Sequence, residues 1–215
     1  MANNLLSDLA ASIENGDRVA AAALTRSALE AGIPAMSVLN DGLLPAMRVV
    51  GEKFSTGEYF LPDMLVAAAS MKAAMTILDP ALSASGAGPE ARIRVAIGTV
   101  RGDIHEIGKS LVGTMLGASV FDVIDLGVDV PAERFVEAVA DGRAALIGLS
   151  ALLTTTMGSQ KTVIDALSAA GLRDRVKVMV GGAPVTEKWA RDIGADGYAA
   201  DAVTAVALAR RLAVS

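Results

Sequence analysis

Two hydrophobic periods divide the chain. From Asn3 to Ala84 apolar residues recur three and four positions apart, the mark of helices that bury one face. Leu5, Leu6, Leu9 and Ile13 share such a face. Gly16-Asp17 ends that helix and caps a second one, predicted over Arg18 to Ala31. Gly32-Ile33-Pro34 is a break, with Pro34 suited to a first helical turn. Met36, Leu39, Leu43, Met47 and Val50 then recur at helical spacing, and Pro45 is expected to kink or divide this segment. Phe54 to Phe60, which contains Gly57, reads as a turn. Pro62 opens a last helix, with Met64, Leu65, Ala68, Met71, Met75 and Leu78 on one side. Four or five helices of this kind make a small bundle.

After Leu82-Ser83-Ala84-Ser85-Gly86-Ala87-Gly88-Pro89 the period changes. Strands are predicted over Ile93 to Val100, Phe121 to Leu126, Ala145 to Ser150 and Val176 to Val180, with a short one near Gly197-Tyr198. Helices alternate with them over Ile107 to Ala118, Pro131 to Ala140, Met157 to Ala170, Pro184 to Ile193 and Ala202 to Leu212. Consecutive βα units imply a parallel sheet covered by helices on both faces. The expected architecture is a helical bundle over residues 1–84, a linker over 85–91 and a flavodoxin- or Rossmann-like five-stranded α/β domain over 92–215. In a flavodoxin-like strand order the ligand crevice lies between the first and third strands.

Composition narrows the function classes. The 215 residues carry a net charge of −5, and neither half is basic, with 5 basic and 9 acidic residues in positions 1–88. That argues against nucleic-acid binding. There is no cysteine, hence no disulfide, thiolate zinc site or thiol nucleophile. Met1-Ala2-Asn3-Asn4 does not resemble a signal peptide, and no uninterrupted apolar run reaches the length of a membrane span. A soluble cytoplasmic protein is the expectation. Aromatic residues make up 3% of the chain, so small aliphatic side chains must build the core.

The chemistry-bearing residues gather on three loops at one edge of the expected sheet. The loop after the first strand carries Asp103 and His105, the one histidine of the chain. An imidazole there can be a metal ligand, a general base or a phosphate contact. A carboxylate two residues away can hold its other nitrogen and fix the tautomer. The loop after the third strand, Ser150-Ala151-Leu152-Leu153-Thr154-Thr155-Thr156, brings four hydroxyls within seven residues. The fourth loop supplies Gly181-Gly182-Ala183-Pro184, where a backbone can approach a ligand and a helix start could favour phosphate. Each has an ordinary reading too: a polar loop histidine, a helix cap at Thr155 or Thr156, a Gly-Gly turn. Neither a G-x-S-x-G elbow nor a G-x-x-x-x-G-K-[ST] loop is present. One histidine without cysteine cannot build a zinc site alone. A single histidine completing the coordination of a metal already held in a macrocycle fits better.

Asp103-Ile104-His105-Glu106-Ile107-Gly108 matches the D-x-H-x-x-G motif of cobalamin-binding domains. Ser150-Ala151-Leu152 matches the S-x-L that follows it, and Gly181-Gly182 the later paired glycines. The stretch Val50 to Pro62 is similar to the helical cap of methyl-carrying members. The chain thus resembles, over nearly its whole length, the corrinoid proteins of methyltransferase systems and the cap plus cobalamin-binding domains of methionine synthase.

That resemblance implies cobalamin or a related corrinoid as cofactor, with His105 as lower ligand to cobalt and Asp103 bonded to its other nitrogen. It places Thr156 as third member of this relay. Ser150, Leu152, Thr154, Gly181 and Gly182 would line the slot for the displaced nucleotide tail. Gly108 belongs to the motif. Phe54, Leu61 and Met64 would cover the upper face. It also implies a methyl carrier, a component of an enzyme system rather than a complete enzyme. A substrate-specific methyltransferase would load the methyl group onto cobalt(I). A second methyltransferase, using tetrahydrofolate or coenzyme M, would remove it, and a reductive activase would restore the cobalt. Nucleic acid and membrane are not expected partners. The rival readings are a cobalamin-dependent sensor, the small subunit of an adenosylcobalamin mutase, and a flavodoxin-like domain without a corrin.

Overall fold

The computed structural model describes residues 2–88, 92–119 and 121–214. It divides into two compact units, residues 1–92 and 93–215.

The first unit is helical: α1 (Ala2–Glu14), α2 (Arg18–Glu30), α3 (Ala35–Ser37), a π-helical stretch Val38–Leu43, α4 (Leu44–Ser55) and α5 (Leu61–Ala84). Asp17 caps α2, its carboxylate accepting from the N–H groups of Val19 and Ala20 at 3.1 and 2.9 Å. Pro45 does not divide the helix where expected. The chain stays helical through it and widens just before it, because a residue without an N–H is accommodated where the hydrogen-bond ladder shifts to i+5. Phe54 and Ser55 extend α4 rather than belonging to the turn. α5 packs along α2 as the central helix. By length and composition it could cross a membrane. Here Met64, Met71, Leu78 and Leu82 are fully buried in the bundle, each contributing about 1.5–3 kcal/mol. Leu65, expected on that face, is instead 47% exposed.

The second unit alternates β1 (Arg94–Thr99), α6 (Ile107–Ala118), β2 (Asp122–Asp125), α7 (Ala132–Ala140), β3 (Leu146–Ser150), α8 (Met157–Ala169), β4 (Lys177–Gly181), α9 (Glu187–Ile193), β5 (Gly197–Ala199) and α10 (Ala202–Ala213). The strands form a parallel sheet in the order β2-β1-β3-β4-β5. β1 is buried from Val95 to Thr99 on both faces, as a central parallel strand must be. Phe135 of α7 lies against Gly98, where a Cβ would come within 2.7 Å of its ring. Ile97 points to the other face and fills the space beside Gly113 of α6. α9 begins later than Pro184, because Thr186 captures the Trp189 N–H at 3.1 Å and thereby sets the helix start. The Gly181-Gly182 turn is therefore separated from the helix start at Thr186.

Candidate functional site

Parallel register builds the site. Thr99, Ser150 and Gly181 stand side by side at the C-terminal ends of β1, β3 and β4. The loop after β1 is therefore flanked by the loop after β3 on one side and, through β2, by the loop 126–131 on the other. This is the reversal point where open α/β sheets bind ligands.

Asp103 is the centre of this arrangement and is 1% exposed. One carboxylate oxygen accepts from His105 Nδ1 at 2.7 Å and from the His105 N–H at 3.0 Å. The other accepts from the Leu152 N–H and from the Thr156 hydroxyl, both at 2.7 Å. Four donors thus occupy the four lone-pair sites of one carboxylate. Burial works against the charged form, but the bonds from Thr156, the Leu152 N–H and His105 outweigh it and hold the carboxyl well below the usual carboxylate range.

An ionised Asp103 accepts only, so His105 must donate from Nδ1. That leaves the lone pair on Nε2, the tautomer a metal ligand needs. The imidazole is 45% exposed, and the Thr99 hydroxyl fixes its backbone by donating to the His105 carbonyl at 2.8 Å. Among the described residues no three His, Asp or Glu side chains gather as a metal cluster. The protein side would thus give a metal one nitrogen.

Of the other candidates, Thr156 stands at the start of α8 but makes no cap, its hydroxyl serving Asp103 instead. Leu152 contributes its N–H to Asp103 and a side chain 39% exposed. Ser150 is half-buried and Thr154 exposed on the same loop. Gly182 has φ +126°, and a Cβ there would sit 1.8 Å from the Ala151 carbonyl oxygen, so neighbouring backbone alone demands glycine. Gly108 differs, because a Cβ there would meet no protein atom within 4 Å. Phe54, Leu61 and Met64 belong to the helical unit. Met64 is a fully buried core residue, Phe54 and Leu61 are half-buried, and the apolar side chains this segment exposes are Phe60, Leu65 and Val66, at 67%, 47% and 49%.

Sequence reading missed an apolar rim on the sheet edge. Ile104 and Ile107 are 75% and 76% exposed, and Leu153 and Val128 join Leu152 among the exposed aliphatics of these loops. The signal was present in the motif itself, since two isoleucines flank His105 where a solvated loop would carry polar residues. Asp129, Lys109 and Gln160 were also missed, because their partners are remote in sequence. Gln160 is fully buried and ties the Leu149 and Gly181 carbonyls, at 3.0 and 3.2 Å, to the Trp189 indole N–H at 2.9 Å.

A B12 binding domain model matches residues 93–207, and a second B12 binding domain model matches residues 5–79. The chain belongs to the B12-binding family. It is 47% identical to dimethylamine corrinoid protein 2 of Methanosarcina acetivorans over 196 residues, covering 91% of this chain and 89% of that protein. A cobalamin-binding protein from Desulfitobacterium hafniense superposes with a TM-score of 0.82 at 35% identity, covering 96% of this chain and 98% of that one. The methanol:cobalamin methyltransferase complex MtaBC of Methanosarcina barkeri superposes with a TM-score of 0.82 at 30% identity, covering 99% of this chain and 81% of its own.

The cofactor of this B12-binding chain is cobalamin or a related corrinoid. The residues present fit such a group. His105 offers a free Nε2 at the sheet edge, the aliphatic rim suits the face of a macrocycle, and Gly108 leaves a space that no protein atom fills.

Proposed function

We propose that this protein is a corrinoid methyl carrier, receiving a methyl group from a methylated substrate through one methyltransferase and yielding it to another that uses tetrahydrofolate or coenzyme M. The observation that carries this reading is the Asp103-centred set of hydrogen bonds, which holds His105 in the tautomer that ligates metal. The bound corrinoid supplies a cobalt centre that can take up and give up a methyl group. His105 Nε2 would be its lower ligand. Asp103 keeps the proton on Nδ1 and strengthens the imidazole as a donor, and Thr156 stabilises the carboxylate that does so. The exposed side chains of Ile104, Ile107, Leu152 and Leu153 would shield such a group from water. Ser150, Thr154, Gly181 and Gly182 are assigned to the nucleotide tail, consistent with their place at the ends of β3 and β4.

The relatives support the class of partner. One serves dimethylamine by name, and one solved neighbour is a methanol:cobalamin methyltransferase complex. We therefore assign the loading partner to the methyltransferases of small methylated amines or alcohols, and the carrier to the cytoplasm. A reductive activase would recover cofactor lost to oxidation.

The test has two stages. After mixing with hydroxocobalamin and removing free cofactor, wild type should retain corrinoid with a histidine-on spectrum that His105→Ala lacks. Isotopically labelled methylamines or methanol, supplied with their methyltransferases, should then place label on the protein-bound corrinoid. Retained corrinoid that accepts no label from any such system would refute the carrier role.

A further inference from the structure

The loop after β2 braces the histidine arm from the side opposite the β3 loop. Asp129 has φ +51°, the one non-glycine residue with a positive φ among the described residues. Its carboxylate accepts the Gly102 N–H at 2.7 Å, and its own N–H donates to the Asp103 carbonyl at 2.8 Å. Next to it Val130 donates to the Thr99 carbonyl at 2.9 Å, and the Gly127 carbonyl accepts the Thr99 N–H at 3.0 Å. At the far end of the arm Lys109 of α6, 3% exposed, meets both carboxylate oxygens of Asp125 at 2.5 Å. The segment 125–130 therefore grips the arm 99–109 at both ends.

We propose that Asp129 is a positioning residue for the cobalt ligand. It holds the turn at Gly102 so that the Asp103 carboxylate stays aligned with Leu152 and Thr156 and His105 is presented at a fixed angle. The left-handed backbone explains the residue type. Asp and Asn tolerate positive φ better than most side chains, and both carry a short side-chain acceptor of the kind that receives the Gly102 N–H here. A backbone kept in a sparsely populated region is retained where the surrounding structure uses it. Here both the N–H and the side chain are used. This inference rests on the corrinoid reading above.

Three variants separate backbone from side chain. Asp129→Asn keeps the acceptor and the tolerance of positive φ. Asp129→Gly keeps the φ and loses the acceptor. Asp129→Ala loses both. Each would be reconstituted with hydroxocobalamin and reduced to the cobalt(II) state. The histidine-on fraction would be read from the nitrogen splitting in the electron paramagnetic resonance spectrum at saturating corrinoid, with thermal unfolding of the corrin-free protein alongside. Asn should match wild type. Gly should lower the ratio of histidine-on to histidine-off by roughly 5- to 10-fold, the worth of one hydrogen bond. Ala should do the same with a lower melting temperature. A Gly variant with the wild-type ratio overturns the proposal, whatever its melting temperature. If wild type itself binds no corrinoid through histidine, the corrinoid reading fails, and the corrin-free protein still decides on the brace. Faster hydrogen exchange at the Gly102 amide in Gly but not in Asn supports it, and unchanged exchange overturns it.

Discussion

Asp103→Asn tests the reasoning where it is most quantitative. The carboxylate accepts four hydrogen bonds in a site that is 1% exposed. An amide can accept on one side only. Turned so that its NH2 faces His105, it would oppose the His105 N–H and drive the proton from Nδ1 to Nε2. Turned toward Leu152 and Thr156, it orphans the Leu152 N–H, while the Thr156 hydroxyl can rotate to the Leu153 carbonyl 2.9 Å away. The second orientation costs less. It leaves one buried donor unpaired, about 1–3 kcal/mol, and removes the charge from a further bond. The expected loss is therefore about 2–4 kcal/mol in the α/β unit. Urea unfolding followed by tryptophan fluorescence measures it there, since Trp189 of α9 is the chain's one tryptophan.

The pH dependence of that gap has a definite sign. The folded-state pKa of Asp103 is depressed, so its contribution is complete above the unfolded value of about 3.9 and is lost as pH falls toward the lower folded value. The gap between wild type and variant should be constant from pH 7 to pH 5 and narrow by about 1 kcal/mol at pH 3. An Asn variant within about 0.5 kcal/mol of wild type at pH 7, or a gap that does not narrow in acid, would refute the four-donor account.

Thr156→Ser keeps the hydroxyl and should leave stability within about 1 kcal/mol of wild type, whereas Thr156→Val removes a donor to a buried carboxylate and should cost about 1–3 kcal/mol in the same urea titration. Gly182→Ala places a methyl group 1.8 Å from the Ala151 carbonyl at a positive φ, so a loss of about 3–5 kcal/mol, read as reduced soluble yield and an earlier urea midpoint, is expected. His105→Ala removes a donor to Asp103 that water can replace at a half-exposed ring, so it should lower the urea midpoint less than Thr156→Val does, while abolishing nitrogen coordination in the spectrum of bound corrinoid.

The alternation of strands and helices was legible because most strands read as short apolar runs between helical patterns; the order β2-β1-β3-β4-β5 is the flavodoxin-like one of the arrangements that parallel βα connectivity allows. The Asp103–His105 pair was legible because it lies within one loop. What escaped were interactions closed by the fold. Asp129 meets Gly102 across 27 positions, and nothing local marks it as more than a turn residue. The start of α9 was misplaced because Pro184 and Thr186 both signal a helix start and the threonine hydroxyl prevailed. Met64 and Leu65, expected on one face of the last helix of the bundle, part company there, Met64 fully buried and Leu65 47% exposed. Helical period defines a stripe but not its width, and α5 is apolar almost all round, so neighbouring helices decide which of its residues are core.

The bonds from Leu152 and Thr156 to Asp103 join two loops before any cofactor arrives. Ordering the histidine arm is therefore part of folding, and coordination need not bear that entropic cost. A histidine held this way would need no loop rearrangement before meeting a metal. It would stay in place on its own loop whether or not a metal were bound, since Asp103 holds both its ring and its backbone N–H.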